Sequence, residues 1–225
     1  MLRTHFYCLG VAFLAFNAAA KADAFRFDTD PFAGTNVLNV PGRQIVGGEN
    51  FISFNIARDV FSLESTVFGV GDTVNFVNAT ADHLPATGVN VVVLDSFDND
   101  NNPQTPFGAG NAADLIADHI TTQGPGFFIY FNQGLDLPRL VFSTDLSSHD
   151  ADLKILARML NLNGAEGRNE MPTFTAENFT ITTTANPVPE PTSVLLMLPA
   201  LSACCYFLRR KRLESLSAGR NSAHR

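Results

Sequence analysis

The chain has 225 residues, 15 Lys and Arg against 22 Asp and Glu, three cysteines and no tryptophan. With 45% hydrophobic and only 16% charged residues, it is too apolar for a disordered chain and too sparsely charged for a coiled coil. A net charge of −7 provides no basic face for nucleic acid, and three cysteines cannot make a disulfide scaffold.

The first segment, residues 1–24, reads as a secretory signal peptide. Arg3 supplies the positive start and Phe6 to Phe16 the apolar core. Ala22-Asp23-Ala24 fits an A-x-A cleavage site with Phe25 as the first mature residue, and Ala20-Lys21-Ala22 is a second possible site. An apolar core of this length is too short to span a membrane, which takes ~20 residues.

Residues 25–186 form the exported domain. Between residues 25 and 188 there is no cysteine, and seven basic residues face nineteen acidic ones, a net of −12. Such a domain must be held by its core alone. Period-two patterning predicts strands at Phe51–Ile56, Thr73–Asn78, Val89–Leu94, Phe127–Phe131, Leu140–Phe142 and a closing strand at Phe174–Thr182. Gly47-Gly48, Gly69, Gly71, Pro85, Gly88 and Gly134 punctuate these runs. Two stretches read as helix. In Ala112–Ile120, Leu115, Ile116 and His119 fall at helical spacing, with Asn111 as N-cap. In Ala151–Leu162, Leu153, Leu156, Ala157 and Leu160 form a stripe and Asn163-Gly164 a left-handed stop. The expected fold is mainly β: an antiparallel β-sandwich with two short helices, flanked by the signal peptide and a C-terminal transmembrane helix.

Few residues in the domain suggest chemistry. Asp98, Asp100 and Asn102 place oxygens at alternate positions, as at the start of a calcium loop, and Asp95 is a further candidate ligand. Pro103 stands where such a loop needs its turn glycine, and Ala109 where it needs a bidentate Glu. The other reading is a polar turn after a strand. Calcium is the one cofactor considered. His83, His119 and His149 are scattered, without zinc spacing, and there is no G-x-S-x-G elbow or phosphate loop.

The C-terminal segment, residues 187–212, is the most specific part of the chain. Val188-Pro189-Glu190-Pro191 precedes an apolar run from Val194 to Leu208, and Arg209-Arg210-Lys211-Arg212 follows. As a helix that run would be ~22 Å long, short of the ~30 Å hydrocarbon core. Snorkelling arginines can extend it. The basic cluster and residues 213–225 are expected to stay cytoplasmic, which puts the domain on the far side of the membrane, where the signal peptide also sends it. These features resemble the PEP-CTERM sorting signal of Gram-negative bacteria, a tail also grouped with the C-terminal segment of ice-binding proteins. The resemblance implies processing near the motif by an exosortase-type membrane protease and delivery to the cell surface or extracellular matrix. The extension 213–225 departs from the usual pattern. Leu140–Ser148, Ala151–Arg158 and Phe174–Phe179 are also similar to stretches in other PEP-CTERM proteins of no known activity.

The sequence therefore predicts a non-enzymatic surface or matrix protein of a Gram-negative-type bacterium. Its expected partners are the Sec export machinery, the exosortase, the membrane through the C-terminal helix, and exopolysaccharide, with no nucleic acid. The alternative is a carbohydrate-binding module, calcium-dependent or not, for which Tyr130 is the one aromatic of the usual kind in the domain. A glycoside hydrolase is a lower reading.

Overall fold

The computed structural model describes residues 22–183. The sorting motif at 188–191, the apolar run at 194–208, the basic cluster at 209–212 and residues 1–21 lie outside the described residues. Within them the chain is mainly strand, with three short helices, and no helix is long and apolar enough to cross a membrane.

Ten strands make two sheets. The smaller holds β1 (Ala24–Phe27), β4 (Val60–Glu64) and β10 (Phe179–Thr182), with β4 in the centre. The larger runs β2 (Ile45–Val46), β9 (Leu153–Met159), β8 (Leu137–Ser143), β7 (Gly126–Asn132), β6 (Val91–Leu94), β5 (Phe76–Ala79). β3 (Asn50–Ile52) pairs with β9 as well.

The expected antiparallel arrangement is incorrect. Only β7–β8 and β8–β9 are antiparallel; the remaining pairs in both sheets are parallel. The connections explain this. A tight loop, residues 133–136, turns β7 back into β8, whereas β5–β6 and β6–β7 are joined by long crossovers, which parallel pairing requires. The second crossover carries α2 (Ala109–Ala117), giving a β-α-β unit.

Alternation along the strands sorts side chains into two cores. Val91, Val93, Phe127, Ile129, Phe131, Leu140 and Phe142 face the small sheet, where they meet Phe61, Leu63 and Phe179. Val92, Leu94, Phe128, Tyr130 and Val141 face α2, meeting Ala112, Ala113 and Ile116. The near-continuous apolar runs of β6 and β7 thus follow from burial on both faces. Phenylalanines fill the first core: Phe54 stacks on Phe61 at 4.2 Å and 6°, and Phe68 meets Phe127 edge-on at 5.0 Å.

The helix expected at Ala151–Leu162 is strand β9. Its register explains the helical appearance. Leu140 pairs with Ala157 but Val141 with Ile155, so Leu156 is an inserted bulge residue. Before it, Leu153 and Ile155 face α2; after it, Ala157 and Met159 face the small sheet with Leu156. This phase change places apolar residues at 153, 156 and 157, as a helix would. Asn163-Gly164, expected to stop a helix, instead starts α3 (Gly164–Glu170), with Gly164 at φ +67°. The other expected helix exists but spans Ala109–Ala117, three residues earlier at each end, and the Asn111 side chain accepts the Gly108 N–H at 3.0 Å from inside its first turn. β1, β4 and α1 (Ser65–Phe68) were not anticipated.

Candidate functional site

Calcium-loop residues Asp98, Asp100 and Asn102 sit on an exposed loop between β6 and α2. Their oxygens are engaged by the chain itself. Asp98 Oδ1 accepts the N–H groups of Asp100 and Asn101 at 3.1 and 3.2 Å. Asp100 Oδ1 accepts the Asn102 N–H, and Asn102 Oδ1 that of Gln104. The loop is a run of Asx turns, with Asn101 at φ +55°. The Thr105 hydroxyl donates to Asp100 Oδ2 at 2.6 Å, and this bond, then the Asn102 amide, lowers the Asp100 carboxyl below its usual range. Asp95 lies at the end of β6, where burial raises its carboxyl. Among the described residues no three His, Cys, Asp or Glu side chains gather as a metal site.

The histidines lie apart. His83 Nδ1 is 3.0 Å from Thr80 Oγ1. His149 is exposed, with Nδ1 3.1 Å from Asp114 Oδ1 and Nε2 3.3 Å from Asp118 Oδ1. His119 is half-buried just after α2. Tyr130, the aromatic considered for sugar stacking, is 0% exposed and has no face for a ligand. Its hydroxyl accepts from Asn132 Nδ2 at 2.9 Å.

Tyr130 instead begins a polar row that sequence reasoning missed. In register across three strands stand Tyr130, Arg139 and Arg158. Two guanidiniums side by side on one face repel. Glu49, just before β3, resolves this: its Oε1 accepts from Arg139 Nη2 at 2.5 Å and from Arg158 Nε. Burial pushes the Glu49 carboxyl up, but its own backbone N–H and the two arginines outweigh it and hold it at about 2. Arg158 also lies over the exposed Phe51 ring, 5.2 Å from its centroid. No local pattern foretells this triad, because its members are brought together by strand register.

A broad concavity among the described residues lies elsewhere. Two adjoining depressions of about 460 and 420 Å³ share Ile56, Ala57 and Thr173. Arg58, Thr175 and Glu177 line the first, and Asn55, Asn161 and Glu170 the second. One wall is the loop from Phe54 to Arg58, connecting β3 to β4. Asn161 grips Phe54 reciprocally, accepting its N–H at 2.7 Å and donating to its carbonyl at 2.9 Å. Asp59, only 2% exposed, accepts the Asn55 N–H at 2.8 Å. Asn178, 3% exposed, donates to the carbonyls of Ile56 and Asp59 at 2.6 and 3.0 Å. The opposite wall, Thr173–Asn178, runs from the end of one 3-10 turn (Met171–Thr173) through a second (Ala176–Asn178); of the strand predicted at Phe174–Thr182 only Phe179–Thr182 pairs. The result is a groove of mixed lining, with apolar Phe54, Ile56, Ala57 and Leu162 beside charges of both signs (Arg58, Glu170, Glu177), and its backbone is held by buried Asn and Asp side chains. It is suited to hydrogen-bonding an extended polar ligand.

The candidate cleavage residues Ala22 and Ala24 are both described and exposed, and Ala24 is the first residue of β1.

No family model, curated protein or solved structure matches the chain.

Proposed function

We propose that this chain is a non-enzymatic exported protein of the bacterial surface or extracellular matrix, carried out by its signal peptide and processed through its PEP-CTERM-like tail. The observation that carries the reading is the placement of the ends of the folded domain. Its first and last strands, β1 and β10, flank β4 in one sheet, and the chain leaves β10 at Thr182, a few residues before Val188-Pro189-Glu190-Pro191. All ten described strands lie between Ala24 and Thr182, so processing near the motif leaves those strands intact.

The working surface is the groove between Asn55–Arg58 and Thr173–Asn178. Its lining sets hydrogen-bonding side chains beside apolar ones, which matches the hydroxyl edges and apolar faces of sugar rings, and it replaces Tyr130 as the place where a carbohydrate-binding role would reside.

Expression of the full chain in an exosortase-positive Gram-negative host tests the proposal. The expected result is a form found at the surface or in the matrix, shortened at both ends, and retained in the inner membrane when Pro189-Glu190-Pro191 is replaced by alanines. A chain that stays cytoplasmic and full length refutes export. Retention of matrix polysaccharide that is lost in Arg58→Ala supports the groove.

A further inference from the structure

We infer that the signal peptide is removed at the Ala22–Asp23 bond, not after Ala24, and that the α-ammonium group so released forms an ion pair with the buried carboxylate of Asp59. The inference rests on the export reading above and specifies its first covalent step.

The folded structure depends on both residues that cleavage after Ala24 would remove. The Asp23 N–H donates to Asp59 Oδ1 at 3.0 Å, and the Asp23 carbonyl accepts the Val60 N–H at 3.0 Å. Ala24 is the first register partner of β1, opposite Val60 on β4. A domain beginning at Phe25 would lose all three contacts and leave part of a nearly fully buried carboxylate without its main-chain donor. Asp59 has further work: its Oδ2 accepts the Asn55 N–H at 2.8 Å, and Arg58 Nε stands 3.4 Å from Oδ1.

Cleavage after Ala22 keeps these contacts and strengthens one. Ala20-Lys21-Ala22 satisfies the small-x-small rule as well as Ala22-Asp23-Ala24 does. In the hydrolysis the amide C–N bond breaks. The water oxygen passes to Ala22, which leaves as a carboxylate, and both water protons end on the Asp23 nitrogen as ammonium. That nitrogen already stands at hydrogen-bond distance from Asp59 Oδ1, so a neutral amide donor becomes a charged one, and a charge-assisted bond is roughly twice as strong. Ala22 and Asp23 are exposed, so the remaining ammonium protons reach water. The peptidase chooses its bond on an unfolded chain; the fold then stabilises the product of one choice and penalises that of the other.

N-terminal sequencing of the full chain, recovered from the exported fraction of a Gram-negative host, tests the cleavage. Asp23 as first residue supports it. An exported product beginning at Phe25, or anywhere else, overturns this inference and leaves export standing. A cytosolic product retaining Met1 overturns both. The ion pair is tested by acylating the α-amine of the same product at neutral pH. A paired ammonium is held in its unreactive form, so native protein should label about tenfold more slowly than urea-unfolded protein. Asp59→Asn should abolish that protection where it folds. Equal rates for native and unfolded wild type overturn the pairing without recourse to the variant.

Discussion

Replacing Glu49 by Gln should destabilise the domain by about 2–3 kcal/mol at neutral pH. Glu49 is 6% exposed at its side chain and its Oε1 meets both Arg139 and Arg158. Its carboxyl is held at about 2, against an ordinary 4.5, a difference worth ~3 kcal/mol. Because the folded-state value is the lower one, this contribution is complete above about pH 4.5 and is lost as pH falls toward 2. A second route gives a similar figure. Removing one partner of a buried pair costs about 3–5 kcal/mol, because the other charge is left stranded. Arg139 is 13% exposed and Arg158 28%, so water recovers some of that cost. A Gln carbonyl can also keep one of the two bonds, which places the result at the lower end. Urea denaturation of wild type and Glu49→Gln at pH 7, and again between pH 5 and 2, measures it. The gap between the two proteins should close as the pH approaches 2. A gap under about 0.5 kcal/mol at pH 7, the ordinary range for a surface pair, or one that ignores pH, would refute the reasoning.

The remaining expectations concern packing and ligands. Gly126→Ala should cost about 1–3 kcal/mol, the range for overpacking, because its Cβ would fall 2.7 Å from the Asn90 carbonyl oxygen and against Leu146; an unchanged melting midpoint would contradict it. Asn161→Ala removes both bonds to Phe54, so it should lower stability by about 1–3 kcal/mol and weaken whatever polymer the groove retains, whereas Tyr130→Phe should leave polymer retention unchanged. Millimolar calcium should leave the melting midpoint where it is, since Asp98, Asp100 and Asn102 already accept backbone N–H groups; a ligand bound only by the native state would raise it.

The sequence located the strands whose signal is local and misplaced those that depend on partners. Val91–Leu94 and Phe127–Phe131 are legible because a strand buried on both faces must be apolar throughout. β9 was not, because a single bulge residue, Leu156, changes which side faces which core. Any reading that assumes one unbroken period then prefers a helix. Strand direction was lost for a related reason: parallel pairing is a property of the connections, and the crossovers after β5 and β6 look from sequence like loops between hairpins.

The same division runs through the candidate sites. The Asp98–Asn102 stretch attracts notice because its acidic and amide residues are adjacent, yet the structure spends them on local turns. The side chains that organise the molecule are isolated in sequence. Glu49 lies 90 residues from Arg139 and 109 from Arg158. Asp59 lies 36 residues from Asp23, and Asn178 reaches 122 residues back to Ile56. Each is a polar group forced into a nearly dry environment, where an unmade bond costs more than a made one returns. Asp59 in particular depends on the main-chain N–H that Asp23 delivers to it. A cleavage site one dipeptide further on fits the same small-x-small pattern but loses this carboxylate's donor, the Asp23 carbonyl and the Ala24 register partner. The long-range pairing of β1 with β4 thus distinguishes the two products after cleavage: a chain beginning at Asp23 keeps its partners on β4, and one beginning at Phe25 does not.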